Sequence, residues 1–188
     1  LDWLLYTSTD MVNWTDHGVV ATLKDFAWNP RVNGAWALEV IERNGRFSMY
    51  CPTHGNGIGV LVADTPYGPF EDPIEKPLVW QKEHWNDIDP TVFIDDDGQA
   101  YIYWGNPDVY YVKLNEDMIS LAEEPRAVVI ENTWDDNDAP ALNKWNGVYY
   151  LSSHRSFYAT SDNVYGPYTY RGPFMDECYV DHGNFFTF

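Results

Sequence analysis

The chain has 188 residues, and 11 Lys and Arg stand against 29 Asp and Glu, a formal net charge of −18. That length suits one domain with a substantial core. The charge would repel phosphates and argues against a nucleic-acid partner, and no apolar run approaches the ~20 residues of a helical membrane span.

Aromatic residues make up 17% of the chain, led by nine Trp and fourteen Tyr. This exceeds what a core requires and points to rings at partly wet surfaces. Cys51 and Cys178 form neither a metal pattern nor a disulfide framework. Free thiols are the expectation, with a single bridge between them as the alternative.

The opening "LDWLLYTSTDMVNW" starts inside a strand-like pattern without a signal peptide or initiator Met, and the closing "DHGNFFTF" stops inside an apolar run. The expectation is a piece of a larger domain, with any targeting segment outside it. Secreted and cytoplasmic settings both stay open.

Helical periodicity is almost absent, and short alternating strands separated by turn residues predict an all-β fold. Three stretches share a plan: residues 36–72, 89–118 and 138–172. Each has a strand, a turn closing on glycine (Gly45, Gly98, Gly147), an aromatic strand and a third strand. The first and third then run into Gly68-Pro69-Phe70 and Gly166-Pro167-Tyr168. The turn glycines lie 98 − 45 = 53 and 147 − 98 = 49 residues apart. A period of about 40–50 residues with about four strands per unit marks a β-propeller blade. A sandwich of regular hairpins is the alternative, but it would not explain the recurrence of the same marks in register.

Within the middle unit, "NDIDPTVFIDDDGQAYIYWG" carries two kinds of carboxylate. Asp95-Asp96-Asp97-Gly98 lies between two strand-like runs and reads as a solvated hairpin turn. Asp89 stands at a strand entrance before Pro90, which is expected to hold it extended. It either caps a backbone group or faces a site.

"WALEVIERNGRFSMY", "IDPTVFIDDDGQAYIYWG", "DAPALNKWNGVYYLSS" and "YGPYTYRGPF" resemble glycoside hydrolase family 43 along nearly the whole chain. The resemblance implies a five-bladed propeller. Residues 1–30 would end the first blade, 31–80, 81–130 and 131–178 would form the second to fourth, and 179–188 would begin the fifth. It also implies an inverting glycosidase of arabinose- or xylose-containing plant polysaccharides or oligosaccharides, with an oligosaccharide or polysaccharide as partner and weak or no hydrolysis expected of this chain alone. The alternative is a non-catalytic carbohydrate-binding or structural propeller piece.

Inversion needs an acid and a base on opposite sides of the sugar, roughly 6.5–9.5 Å apart. Asp89 matches the family's aspartate that tunes the acid and orients the sugar. Asp138, in "NDAPAL", stands where the family has a glutamate general acid. It is a departure, one methylene shorter, with Glu131 and Glu39 as other candidate acids and a structural rim role as the bland alternative. The family's base is expected upstream of Leu1, since Asp2 and Asp10 do not match it. His182, in "VDHGNFF", matches a histidine that in the family binds a metal, often calcium, in the central channel; a hydrogen-bonded histidine without metal is the alternative. Trp36, Trp85, Asn86, Asp87 and His54 are candidate sugar contacts, and Trp104 is expected in the core. An incomplete propeller would expose sheet edges and apolar blade faces, so a homo-oligomer is expected.

Overall fold

The computed structural model describes residues 2–31, 33–53, 55–81, 86–132, 137–176 and 182–185. His54, Trp85 and Cys178 lie outside the described residues. No described helix is long and apolar enough to cross a membrane.

Fourteen strands among the described residues form four antiparallel-rich sheets in chain order. The first sheet pairs β1 (Asp2–Thr7) with β2 (Thr15–Thr22). The second has the order β3 (Glu39–Arg43), β4 (Arg46–Pro52), β5 (Ile58–Ala63). The third runs β6 (Thr91–Ile94), β7 (Ala100–Trp104), β8 (Tyr110–Lys113), β9 (Arg126–Ala127). The fourth sheet contains β10 (Ile130–Glu131), β11 (Ala141–Trp145), β12 (Val148–Ser153), β13 (Phe157–Ser161) and β14 (Tyr168–Pro173). Its spatial order is β10-β14-β13-β12-β11, so β10 is its outermost strand, parallel to β14.

The repeated turn chemistry has a direct geometric expression. Arg43 pairs with Arg46 and Trp145 with Val148, each across a two-residue Asn-Gly loop. All four loop residues have positive φ: Asn44 55°, Gly45 80°, Asn146 51° and Gly147 81°. This is the loop whose twist matches the flanking strands. In the third sheet the chain instead closes over Asp95–Gly98, with Gly98 N–H donating to the Asp95 carbonyl at 2.8 Å.

Three apolar layers fill the spaces between successive sheets. Trp3, Ala21, Leu23 and Phe26 pack with Met49, Cys51 and Leu61 between the first and second. Tyr50, Ile58 and Val60 meet Val92, Ile102, Trp104 and Val112 between the second and third. Tyr101, Tyr103 and Tyr111 meet Leu142, Tyr149, Leu151 and Tyr168 between the third and fourth. The inner strands β3, β6 and β11 touch in sequence. Sheets stacked face to face with their first strands adjoining are arranged as propeller blades.

Two expectations are corrected here. The Asp95–Asp97 turn is not simply solvated. Lys144 Nζ lies 2.6 Å from Asp95 Oδ1 and 2.7 Å from Asp96 Oδ2, and the Tyr149 hydroxyl donates to Asp95 Oδ2. The acidic turn of one blade therefore ties to the next, and the Asp95 side chain is only 10% exposed. Burial pushes Asp95 up, but the bonds from Lys144, Tyr149 and the Asp96 N–H outweigh it and hold the carboxyl below its ordinary range. Second, Asp89 is not extended before Pro90: its φ is +53°. Aspartate tolerates the left-handed region better than most residues, and here the strand entrance bends at Asp89.

Cys51 is a buried free thiol whose ionisation is disfavoured by burial.

Candidate active site

Asp89 and Asp138 each precede an inner strand, β6 and β11. Each lies nine positions before its blade's turn glycine (98 − 89 = 147 − 138 = 9). Trp36 has the same place in the second blade (45 − 36 = 9). The structure brings the two carboxylates together: their side chains are hydrogen-bonded to each other. Ala139 follows Asp138 with φ +50°, and its N–H donates to Asp138 Oδ1 at 2.8 Å. His154 N–H reaches the Asp138 carbonyl at 2.9 Å from the turn between β12 and β13, where Arg155 and Ser156 have φ of 58° and 64°. Asp89 itself and three residues near the pair, Ala139, Arg155 and Ser156, are in the left-handed region, a costly concentration typical of sites held by their surroundings.

Burial first, and then the charge and hydrogen bond of Asp89, push the Asp138 carboxyl up to about 6. The nearby His154 and the Ala139 N–H oppose the rise. A carboxylic acid that keeps its proton toward neutral pH beside a second carboxylate is what general-acid catalysis needs.

His182 closes on the same place. Its Nδ1 is 3.9 Å from Asp89 Oδ1 and has no hydrogen-bond partner among the described residues. Glu39, the first residue of β3, is a third described carboxyl near His182. Its Oε2 accepts from Asn184 Nδ2 at 2.8 Å and from Thr91 Oγ1 at 3.4 Å. Burial pushes Glu39 up to about 7, against the His182 charge and the Thr91 hydroxyl. A cavity of about 160 Å³ is lined by Ala139, the residue after Asp138, with Ser153, Ser156, Met175, Asn184 and Phe185 among others.

Several candidates fall elsewhere. Glu131 is exposed on β10, the outermost strand, so it is no candidate acid. Asp87 is 1% exposed. Its oxygens accept from Trp104 Nε1 at 3.1 Å and Gln81 N–H at 2.6 Å, which makes it a structural anchor rather than a ligand for sugar hydroxyls. Asn86 is buried, and its Oδ1 has no hydrogen-bond partner among the described residues. Trp36 is 39% exposed, with its carbonyl accepting from Trp3 Nε1 at 2.8 Å. Trp104 is fully buried, as expected. Asp10 caps its own turn, accepting from Val12 N–H, Asn13 N–H and Asn13 Nδ2, and those bonds hold it well below the carboxylate range. Asp2 is exposed on β1. Neither is placed as a base.

Calcium takes six to eight oxygen ligands. Around His182 the described carboxylates are turned to Asp138, Thr91 and Asn184, and no three His, Cys, Asp or Glu side chains among the described residues converge as a cage. The described residues alone do not make up a protein-built calcium cage.

The profile of glycosyl hydrolases family 43 matches residues 1–177. The chain belongs to this family. It is 34% identical to an arabinoxylan arabinofuranohydrolase of Bacillus subtilis (strain 168), over 90% of this chain and 41% of that protein. The solved structure of an α-L-arabinofuranosidase from Clostridium thermocellum superposes with a TM-score of 0.80 and 34% identity, covering 92% of this chain and 61% of that one. A β-xylosidase/α-arabinofuranosidase from a compost microbial metagenome, solved with xylotriose in a calcium-free form, gives 0.81 and 27%, covering 97% and 70%. The chain spans less than half the length of the Bacillus protein. Its four sheets are part of the five-bladed propeller of this family. The positive φ at Asp89 is a feature that the Asp-Pro dipeptide alone did not signal.

Proposed function

We propose that this chain carries the acid half of an inverting glycosidase site for arabinose- or xylose-containing oligosaccharides. The observation that supports this reading is the hydrogen-bonded Asp138–Asp89 pair, with Asp138 pushed up to about 6. Asp138 would deliver its proton to the leaving oxygen. Asp89 would keep that proton in place until the bond breaks and would orient the sugar. Trp36 would offer a ring face to the sugar, where apolar C–H groups pack on aromatics, and buried Asn86 would offer an acceptor. Any calcium taken up beside His182 would be held mainly through water.

A second reading is favoured by one observation: no described carboxylate stands as the base across from Asp138. In that reading the chain binds sugar without cleaving it. Calorimetric titration with xylotriose and with arabino-oligosaccharides, beside a hydrolysis assay of the same sugars, separates the two. Cleavage abolished by Asp138→Asn supports the first reading, and binding without cleavage supports the second. Absence of both overturns the assignment of this site to sugar.

We infer further that copies associate. The outward face of the fourth sheet forms a groove of about 520 Å³ lined by Trp145, Tyr150, Tyr158, Phe174 and Phe185, and Leu4, Tyr6 and Val19 are exposed on the first sheet. Contiguous apolar faces of this kind favour association. A monomer by light scattering at high concentration would contradict it.

A further inference from the structure

Among the described residues, Glu39 is a carboxyl beside His182 that the acid–tuner pair does not use. Its surroundings give it a different task. One of its oxygens is where three distant parts of the chain meet: β3 carries it, Thr91 of β6 donates to it, and Asn184 donates to it across a separation of 145 residues. The Asn184 amide is fixed in direction. Its Oδ1 accepts from Phe185 N–H at 2.8 Å, which leaves its NH₂ to reach Glu39. On the other side, the Phe185 ring packs edge-on against Phe174 at 5.3 Å between centroids. Among the described residues, the segment 182–185 is thus held at Phe174 of the fourth blade and at Glu39 of the second. Between them, His182 stands 3.9 Å from Asp89.

Among the described residues, loss of the Glu39 contact would leave residues 182–184 with the Phe174–Phe185 packing at one end as their remaining anchor. Rotation about that end would carry His182 away from Asp89, because a short irregular segment has no ladder of its own to hold it.

We propose that Glu39 is a positioning residue that clamps residues 182–184 across the channel so that His182 stays beside Asp89. The role needs an acceptor oxygen at this point and does not depend on which sugar is bound. Glutamine supplies that oxygen, and alanine does not. Asn184, exposed at the surface, reads the same contact from the other side.

The test is ¹H–¹³C NMR of the histidine rings of the 188-residue chain at one fixed pH, with the His182 signals assigned by their loss in His182→Gln. In the unaltered chain the His182 ring signals are expected to stand apart from those of an unstructured histidine, and to do so equally in Glu39→Gln. In Glu39→Ala and in Asn184→Ala they are expected to move most of the way to unstructured positions, while thermal unfolding stays cooperative. Should Glu39→Ala fail to fold, Asn184→Ala carries the same reading. Unmoved His182 signals in the alanine variants would overturn the proposal. So would Glu39→Gln behaving like Glu39→Ala, since the retained oxygen would then count for nothing.

Discussion

The side chains of Asp89 and Asp138, from the entrances of two successive blades, are hydrogen-bonded to each other, and Asp138 retains its proton to about pH 6. Asp138 has an ordinary value of 3.8 and rises to about 6, while Glu39 has an ordinary value of 4.5 and rises to about 7. The folded chain therefore holds both protons more tightly than the unfolded chain does. The stability they contribute is full below about pH 4 and is lost as the pH rises through 6 and then 7. For well-buried Glu39 this is on the order of 3 kcal/mol. For half-buried Asp138, solvent screening reduces the share to about 1 kcal/mol. Thermal melts between pH 4 and 8 should show a falling Tm over this window. The Glu39→Gln, Asp138→Asn double variant should be flatter. An equally steep fall in the double variant would assign the slope to the general charge of the chain instead.

The same pair raises the question of reach. The Asp138 carboxyl is one carbon–carbon bond, about 1.5 Å, short of a glutamate at this position. A misplacement of about 1 Å can cost ~10²-fold in rate. Asp138→Glu is therefore expected to raise hydrolysis of 4-nitrophenyl α-L-arabinofuranoside or β-D-xyloside by about 10- to 100-fold over whatever rate the unaltered chain shows. A lower rate in the glutamate variant would mean that the cavity beside Ala139 and Ser153 is shaped for the shorter acid.

Between the third and fourth blades, Asp95 gathers bonds from Lys144 and Tyr149. Tyr149 is 7% exposed, and its ring also meets Phe93 edge-on at 6.1 Å. Tyr149→Phe keeps the ring and removes the hydroxyl that donates to a carboxylate. It should lower stability by about 1.5–3 kcal/mol in urea unfolding, the range for a hydrogen bond to a charged group. A loss no larger than about 0.5 kcal/mol would mean that Lys144 alone satisfies Asp95.

Much of this architecture was legible because the marks of a blade are local. The Asn-Gly loops at 44–45 and 146–147 and the aromatic strand after each follow from short-range turn chemistry and alternation, and their repetition carried the fold. The meeting of Asp89, Asp138 and His182 was legible only through the family resemblance, since nothing local in "IDPTV" or "NDAPAL" says that the two entrances face each other. What escaped was tertiary. Asp95 looked solvated because a turn's own sequence does not show that Lys144 of the next blade lies over it. Asp87 looked like a sugar ligand because its burial depends on Trp104, seventeen positions later. Asp89 looked extended because the Pro90 rule describes a preference, and the bend at the rim overrides it.

Asp87 supplies the last prediction. Its carboxylate is 1% exposed and sits between the Trp104 indole N–H at 3.1 Å and the Gln81 backbone N–H at 2.6 Å. Trp104 is itself fully buried at the end of β7, in the layer between the second and third blades, stacked with Tyr110 at 6.0 Å. Trp104→Phe removes the indole donor and leaves a smaller ring, so it combines a cavity with a weakened partner set for a buried charge. The expected loss is about 2–4 kcal/mol in chemical denaturation, larger than that of Tyr149→Phe because both terms act at once. Adding Asp87→Asn to Trp104→Phe should recover part of the loss, since a neutral amide costs less to bury than a carboxylate with one donor fewer. If the second substitution deepened the loss instead, the charge of Asp87 would be serving a contact other than the indole, and Asp87 would return to the candidates for a functional role.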